Sequence, residues 1–100
     1  MVDLSLNKLN QFFAGLTPLW YKKRQIILYP GDTPTGIFYI KTGYVRQYLI
    51  SRDGKELTTI IYKSADLFPI KWAVTNSPIK SYFETLTTVE LCKIPKETFL

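Results

Sequence analysis

Residues 29–44 read YPGDTPTGIFYIKTGY. Pro30-Gly31-Asp32, Pro34, Gly36 and Thr42-Gly43 interrupt short apolar, aromatic runs. Proline fixes φ and removes a backbone donor, and glycine enters left-handed conformations freely, so no long helix crosses such a stretch. The same punctuation recurs downstream. QIILY (25–29), IFYIK (37–41), YVRQYLI (44–50), KELTTIIY (55–62) and LFPI (67–70) read as strands, and SYFETLTTVELCKI (81–94) as two strands bent near Thr87. Asp53-Gly54 lies between two of them and predicts a hairpin, with the positive φ that tight hairpins need. Residues 71–78 carry no strand pattern and read as irregular. Seven or eight short strands at near-regular spacing predict a sandwich, roll or barrel. An aromatic fraction of 15% suits such pleated surfaces.

Helix is expected only at the ends. Leu6, Leu9, Phe12, Phe13 and Leu16 recur at helical spacing, which predicts a helix near residues 4–15. Asp3 or Ser5 is placed to cap it, and Gly15 with Thr17-Pro18 to end it. Pro95 suits the first position of a second helix, with Glu97 favourable in its first turn. One hundred residues without an internal repeat predict one domain, 1–100.

Composition removes several chemistries. There is no histidine, so Ser-His and Cys-His triads and imidazole-ligated metals are excluded. Cys92 is the only cysteine and makes neither a disulfide nor a zinc or iron–sulfur site alone. Asp32, Asp53, Asp66, Glu84 and Glu90 do not form a metal-ligand spacing. No enzymatic activity, cofactor or metal is expected. The net charge of +5 is spread along the chain, with one tight run at Lys22-Lys23-Arg24 that reads as a solvated edge. No stretch is apolar over the roughly 18 residues a membrane span needs, and the first residues lack a signal-peptide pattern. A cytoplasmic protein is expected.

Several residues taken together carry a family resemblance. Pro30-Gly31-Asp32, Ile37-Phe38-Tyr39-Ile40, Gly43, Asp53-Gly54-Lys55-Glu56 and Ala65-Asp66-Leu67-Phe68 stand in an order and spacing that resembles the cyclic-nucleotide-binding sensor domain of the Crp/Fnr (catabolite activator/FNR) transcription regulators. The resemblance covers about residues 10–100. It implies a mainly β fold: a double-stranded β-helix, or jelly-roll-like β-roll, with a short N-terminal helix and a helix starting at the C-terminus. In the family a dimerisation helix and a helix-turn-helix follow. DNA contact is therefore expected only through a C-terminal domain missing here, and the full-length protein is expected to be a homodimer.

The family's phosphate-binding cassette begins Gly-Glu-Leu and reaches Arg followed by Ser or Thr some eleven residues later. The glutamate accepts from the ribose hydroxyl, and the arginine grips the cyclic phosphate. Here Pro69-Ile70-Lys71 stand at the start and Lys80-Ser81 at the end. Proline has no N–H, isoleucine accepts nothing, and lysine is a point charge rather than a planar fork. The resemblance thus implies a sensor domain with a degenerate cassette that does not hold cAMP or cGMP tightly. A pocket for a small-molecule effector is expected among Lys71, Trp72, Lys80, Ser81 and Tyr82. An alternative is a small nucleic-acid-binding β-barrel, with Tyr44, Tyr48 and Tyr62 beside Arg46 and Lys41 as a stacking platform.

Overall fold

A computed structural model describes residues 17–95. The helices expected near 4–15 and after Pro95 lie outside the described residues. Among the described residues eight strands form: β1 (Pro18–Tyr21), β2 (Ile26–Leu28), β3 (Gly36–Thr42), β4 (Val45–Ile50), β5 (Glu56–Tyr62), β6 (Leu67–Phe68), β7 (Tyr82–Thr85) and β8 (Val89–Pro95). They make two antiparallel four-stranded sheets, in the orders β1-β8-β3-β6 and β2-β7-β4-β5. Only β4 and β5 are sequence neighbours paired in one sheet. Every other pairing is long-range, so the chain winds as a roll. The frequent turns let it change sheet after each short strand.

Two expectations need correction. Pro18 begins β1 rather than only ending a helix, and Pro18–Tyr21 pair with Cys92–Val89 at a sheet edge, where a missing N–H is tolerated. LFPI is not one strand: β6 ends at Phe68, and Pro69 caps a helix, α1 (Ile70–Thr75), in a segment expected to be irregular. Its φ of −87° suits proline. Asn76 ends the helix in the left-handed conformation, its N–H donating to the Trp72 carbonyl. Six residues are too short for a helical period to show in sequence.

The turns share a chemistry. In Tyr29-Pro30-Gly31-Asp32, the Asp32 carboxylate accepts from the Tyr29 N–H at 2.8 Å while the Asp32 N–H donates to the Tyr29 carbonyl. Lys63-Ser64-Ala65-Asp66 repeats both bonds around Asp66. Gly31 takes φ +91° in the first turn and Ala65 takes φ +75° in the second. A left-handed alanine costs roughly 1–2 kcal/mol, partly offset in glycine by about 0.5–1 kcal/mol of backbone entropy. Ala65→Gly is therefore expected to stabilise the protein by about 0.5–1 kcal/mol. A raised urea midpoint at constant slope checks this, and a lowered midpoint refutes it. At the hairpin Gly54 alone has positive φ, and its N–H donates to the Ser51 carbonyl at 3.0 Å. Gly43 is restricted twice over: φ is +98°, and a Cβ there lies 2.5 Å from the Thr88 carbonyl oxygen.

The core fills the space between the sheets. Phe38, Ile40, Val45, Phe68, Phe83, Val89 and Leu91 form its main cluster. Phe68 sits among the rings of Phe38, Tyr62 and Phe83 at centroid distances of 5.2–5.4 Å. Thr85 is fully buried yet satisfied: its hydroxyl donates to the Lys22 carbonyl at 2.6 Å and accepts from the Gln25 N–H at 2.9 Å. Cys92 is buried in a second cluster with Ile37, Tyr39, Ala73 and Ile94, and burial, its largest influence, pushes its thiol pKa up. That is the setting of a packing cysteine.

Candidate functional site

Strand parity builds the site. Along β4, Val45 and Gln47 face the interior while Arg46 and Tyr48 face outward. Gln47 stands opposite Ile60 of β5 and Phe83 of β7, and Val45 stands opposite Tyr62. Above this face lies α1 with Pro69, and the segment 77–81 closes one side. Together they enclose a cavity of about 340 Å³. Gln47, Ile60, Tyr62 and Phe83 line its sheet side. Pro69, Ile70, Lys71 and Trp72 line the helix side, and Ser77 to Ser81 complete it. Ile70, Lys71 and Lys80 are solvent-exposed, whereas Ile79 and Ser81 are buried.

One hydrogen-bond chain crosses the sheet here. The Tyr62 hydroxyl donates to Gln47 Oε1 at 2.7 Å, and Gln47 Nε2 donates to Ser81 Oγ at 3.2 Å. Burial, with a contribution from Asp66, pushes the Tyr62 phenol pKa up. The lining contains two lysines and no aspartate or glutamate. Its polar groups are amide, hydroxyl and ammonium in an otherwise apolar wall, which suits a ligand rich in acceptors.

Lys71, Trp72, Lys80 and Ser81, expected from sequence, meet at this cavity. Tyr82 does not. It follows the inward Ser81 and precedes the inward Phe83, so its ring falls on the outer face. There it stacks on Tyr48 at 5.0 Å and meets Tyr29 edge-on at 5.9 Å. Gln47, Ile60, Tyr62 and Phe83 were not anticipated. The available signal was parity: in VRQYL, Gln47 is a polar residue on the same face as Val45.

The outer face carries a separate charge cluster. Arg46 donates to Glu84 Oε1 from Nε at 2.8 Å and reaches Glu56 from Nη2 at 2.7 Å. Its guanidinium lies 3.9 Å above the Tyr48 ring. Burial opposes the Arg46 charge, yet hydrogen bonds and attraction from both carboxylates more than offset it and hold the pKa up. This arrangement dismantles the proposed nucleic-acid platform. Tyr48 is only 5% exposed beneath Arg46, and Tyr62 faces the interior on the other side of the sheet. Tyr44 remains exposed without them. Among the described residues there is no cluster able to hold a metal, and no helix is long and apolar enough to cross a membrane.

The cyclic nucleotide-binding domain family matches residues 18–100. Curated relatives include an anaerobic regulatory protein of Haemophilus influenzae, 29% identical over 93% of this chain and 35% of its own length. Another is a fumarate and nitrate reduction regulatory protein of Vibrio cholerae, 28% identical over 95% of this chain and 37% of its own length. The chain thus spans about a third of these relatives. Among solved structures, the catabolite activator protein of Thermus thermophilus superposes with a TM-score of 0.78 at 18% identity, over 96% of this chain and 45% of that one. That likeness establishes the β-roll.

Proposed function

Because the chain belongs to the cyclic nucleotide-binding domain family, and its relatives are Crp/Fnr-type regulators, we propose that it is the effector-sensing roll of a bacterial transcription regulator whose pocket no longer suits cAMP or cGMP. The observation that supports this is the lining: no carboxylate lines the cavity to accept from a ribose hydroxyl. In this reading Pro69 and Ile70 take the places of the cassette's glycine and glutamate, and Lys80 that of its arginine. The unit we propose is the whole roll, residues 1–100. DNA binding and homodimerisation belong, in this reading, to parts of the full-length regulator outside these residues, consistent with the third of each relative that the chain spans. A cytoplasmic location and a non-enzymatic role follow from the regulators it resembles.

Each lost hydrogen bond to a charged group costs about 1.5–3 kcal/mol, so losing the ribose acceptor and weakening the phosphate grip removes roughly two to four decades of affinity. Calorimetric titration is expected to give dissociation constants weaker than about 1 mM for both nucleotides. A micromolar constant for either overturns the reading. The triple replacement Pro69→Gly, Ile70→Glu and Lys80→Arg is expected to strengthen cAMP binding at least about tenfold. No gain from it refutes the correspondence between these positions and the cassette.

A further inference from the structure

The hydrogen bonds around Gln47 run in one direction. Tyr62 donates to Gln47, and Gln47 donates to Ser81. Ser81 Oγ therefore serves as an acceptor within the protein, and its own proton has no acceptor among the described residues. Ser81 is 7% exposed and lines the cavity. A chain of aligned donors strengthens its last member, here a hydroxyl whose proton is left for the cavity. The exposed Lys71 and Lys80 line the same cavity without an ion-pair partner among the described residues.

We propose that this cavity binds a small aromatic carboxylate, its acid group held by the Ser81 hydroxyl and the Lys80 ammonium and its ring against Trp72 and Phe83. This rests on the reading of the roll as an effector sensor. The polar chemistry favours an anion: the lining offers two ammonium groups and the Ser81 proton, and no carboxylate. It favours a carboxylate over a phosphate. A phosphate dianion calls for an arginine fork or several backbone donors, and Pro69 supplies none. The apolar wall selects the body, because Trp72, Tyr62, Phe83 and Ile60 give a ring flat surfaces to pack on. Gln47 is the positioning residue. Held at Oε1 by Tyr62, it occupies the Ser81 lone pairs and leaves the serine proton for the ligand.

Benzoate and phenylacetate are the probes, with benzamide as the neutral counterpart of benzoate and inorganic phosphate as the bare anion. Trp20→Phe leaves Trp72 as the one fluorescent tryptophan, since the chain has two. Both acids are expected to change Trp72 emission saturably, with benzamide and phosphate at least about tenfold weaker. Gln47→Leu is expected to reduce the benzoate-to-benzamide preference about tenfold, because the serine then has no fixed donor to orient it. Lys80→Met, at an exposed position that folding does not need, is expected to do the same and keeps the test open if Gln47→Leu fails to fold. Equal binding of benzamide and benzoate overturns the proposal, as does phosphate competing equally with benzoate. Silence from both acids up to about 10 mM overturns it as well. Calorimetry with cAMP and cGMP on the same protein separates the two readings. A micromolar nucleotide constant overturns the proposed function, whereas silence from nucleotides and acids alike overturns only the carboxylate.

Discussion

Phe68→Ala is expected to lower stability by about 3–5 kcal/mol. Phe68 is fully buried on β6 of one sheet, and two of its three stacking partners, Tyr62 and Phe83, belong to the other. Removing the ring costs its transfer free energy and leaves a cavity that neither sheet can close without shifting the other. A domain of this size holds about 5–15 kcal/mol in total, so the variant sits near the edge of folding. Urea denaturation is the measurement, with the midpoint falling and the slope unchanged. Phe68→Leu keeps most of the volume and is expected to cost less than about 1.5 kcal/mol. A loss below about 1 kcal/mol for the alanine variant contradicts the sheet-bridging role. The site is affected too, because β6 leads directly into Pro69 and α1, which wall the cavity.

Arg46→Ala is expected to cost about 3 kcal/mol. The side chains of Arg46 and Glu84 are only 13% and 12% exposed and lie 2.7 Å apart, so removing the guanidinium leaves a shielded carboxylate beside Tyr48. Arg24, 3.8 Å from Glu84 but 61% exposed, replaces little of it. The lost pair matters less than the orphaned charge. The double replacement Arg46→Met with Glu84→Leu is therefore expected to recover most of the loss, since well-packed apolar side chains often match a buried ion pair. A double-mutant cycle by urea denaturation decides this. If the double variant is as unstable as the sum of the single changes, Arg46 and Glu84 act independently and the orphaned charge is not the cause.

Much of the strand pattern was legible because its signals are local. Gly31, Gly43 and Gly54 all take positive φ, and all stand where a strand was expected to reverse. Short apolar runs between turn residues marked β3, β4, β5, β7 and β8 to within a residue or two. What stayed hidden was short or ambiguous. Helix α1 has six residues, and its Pro69 reads equally well as a break between strands. Pro18 was legible as a helix terminator but begins an edge strand, because its missing N–H is as harmless at a sheet edge as at a helix end.

The site divides along the same line. Lys71, Trp72, Lys80 and Ser81 lie within eleven consecutive residues, and the cassette spacing alone brought them forward. Tyr82 lies in the same stretch but turns to the outer face, because each successive residue of a strand changes side. Gln47 and Tyr62 reach the cavity from the β4–β5 hairpin, and Phe83 from β7, which neighbours β4 only in the folded sheet. Sequence alone determined the residue types available: no histidine, one cysteine, and two lysines but no arginine between residues 69 and 81. The tertiary structure decided which of them meet. The β4–β5 hairpin and the long-range pairing of β4 with β7 put Tyr62, Gln47 and Ser81 in one hydrogen-bonded line. That line depends on strand register, and register is set by burying one face of each sheet against the other.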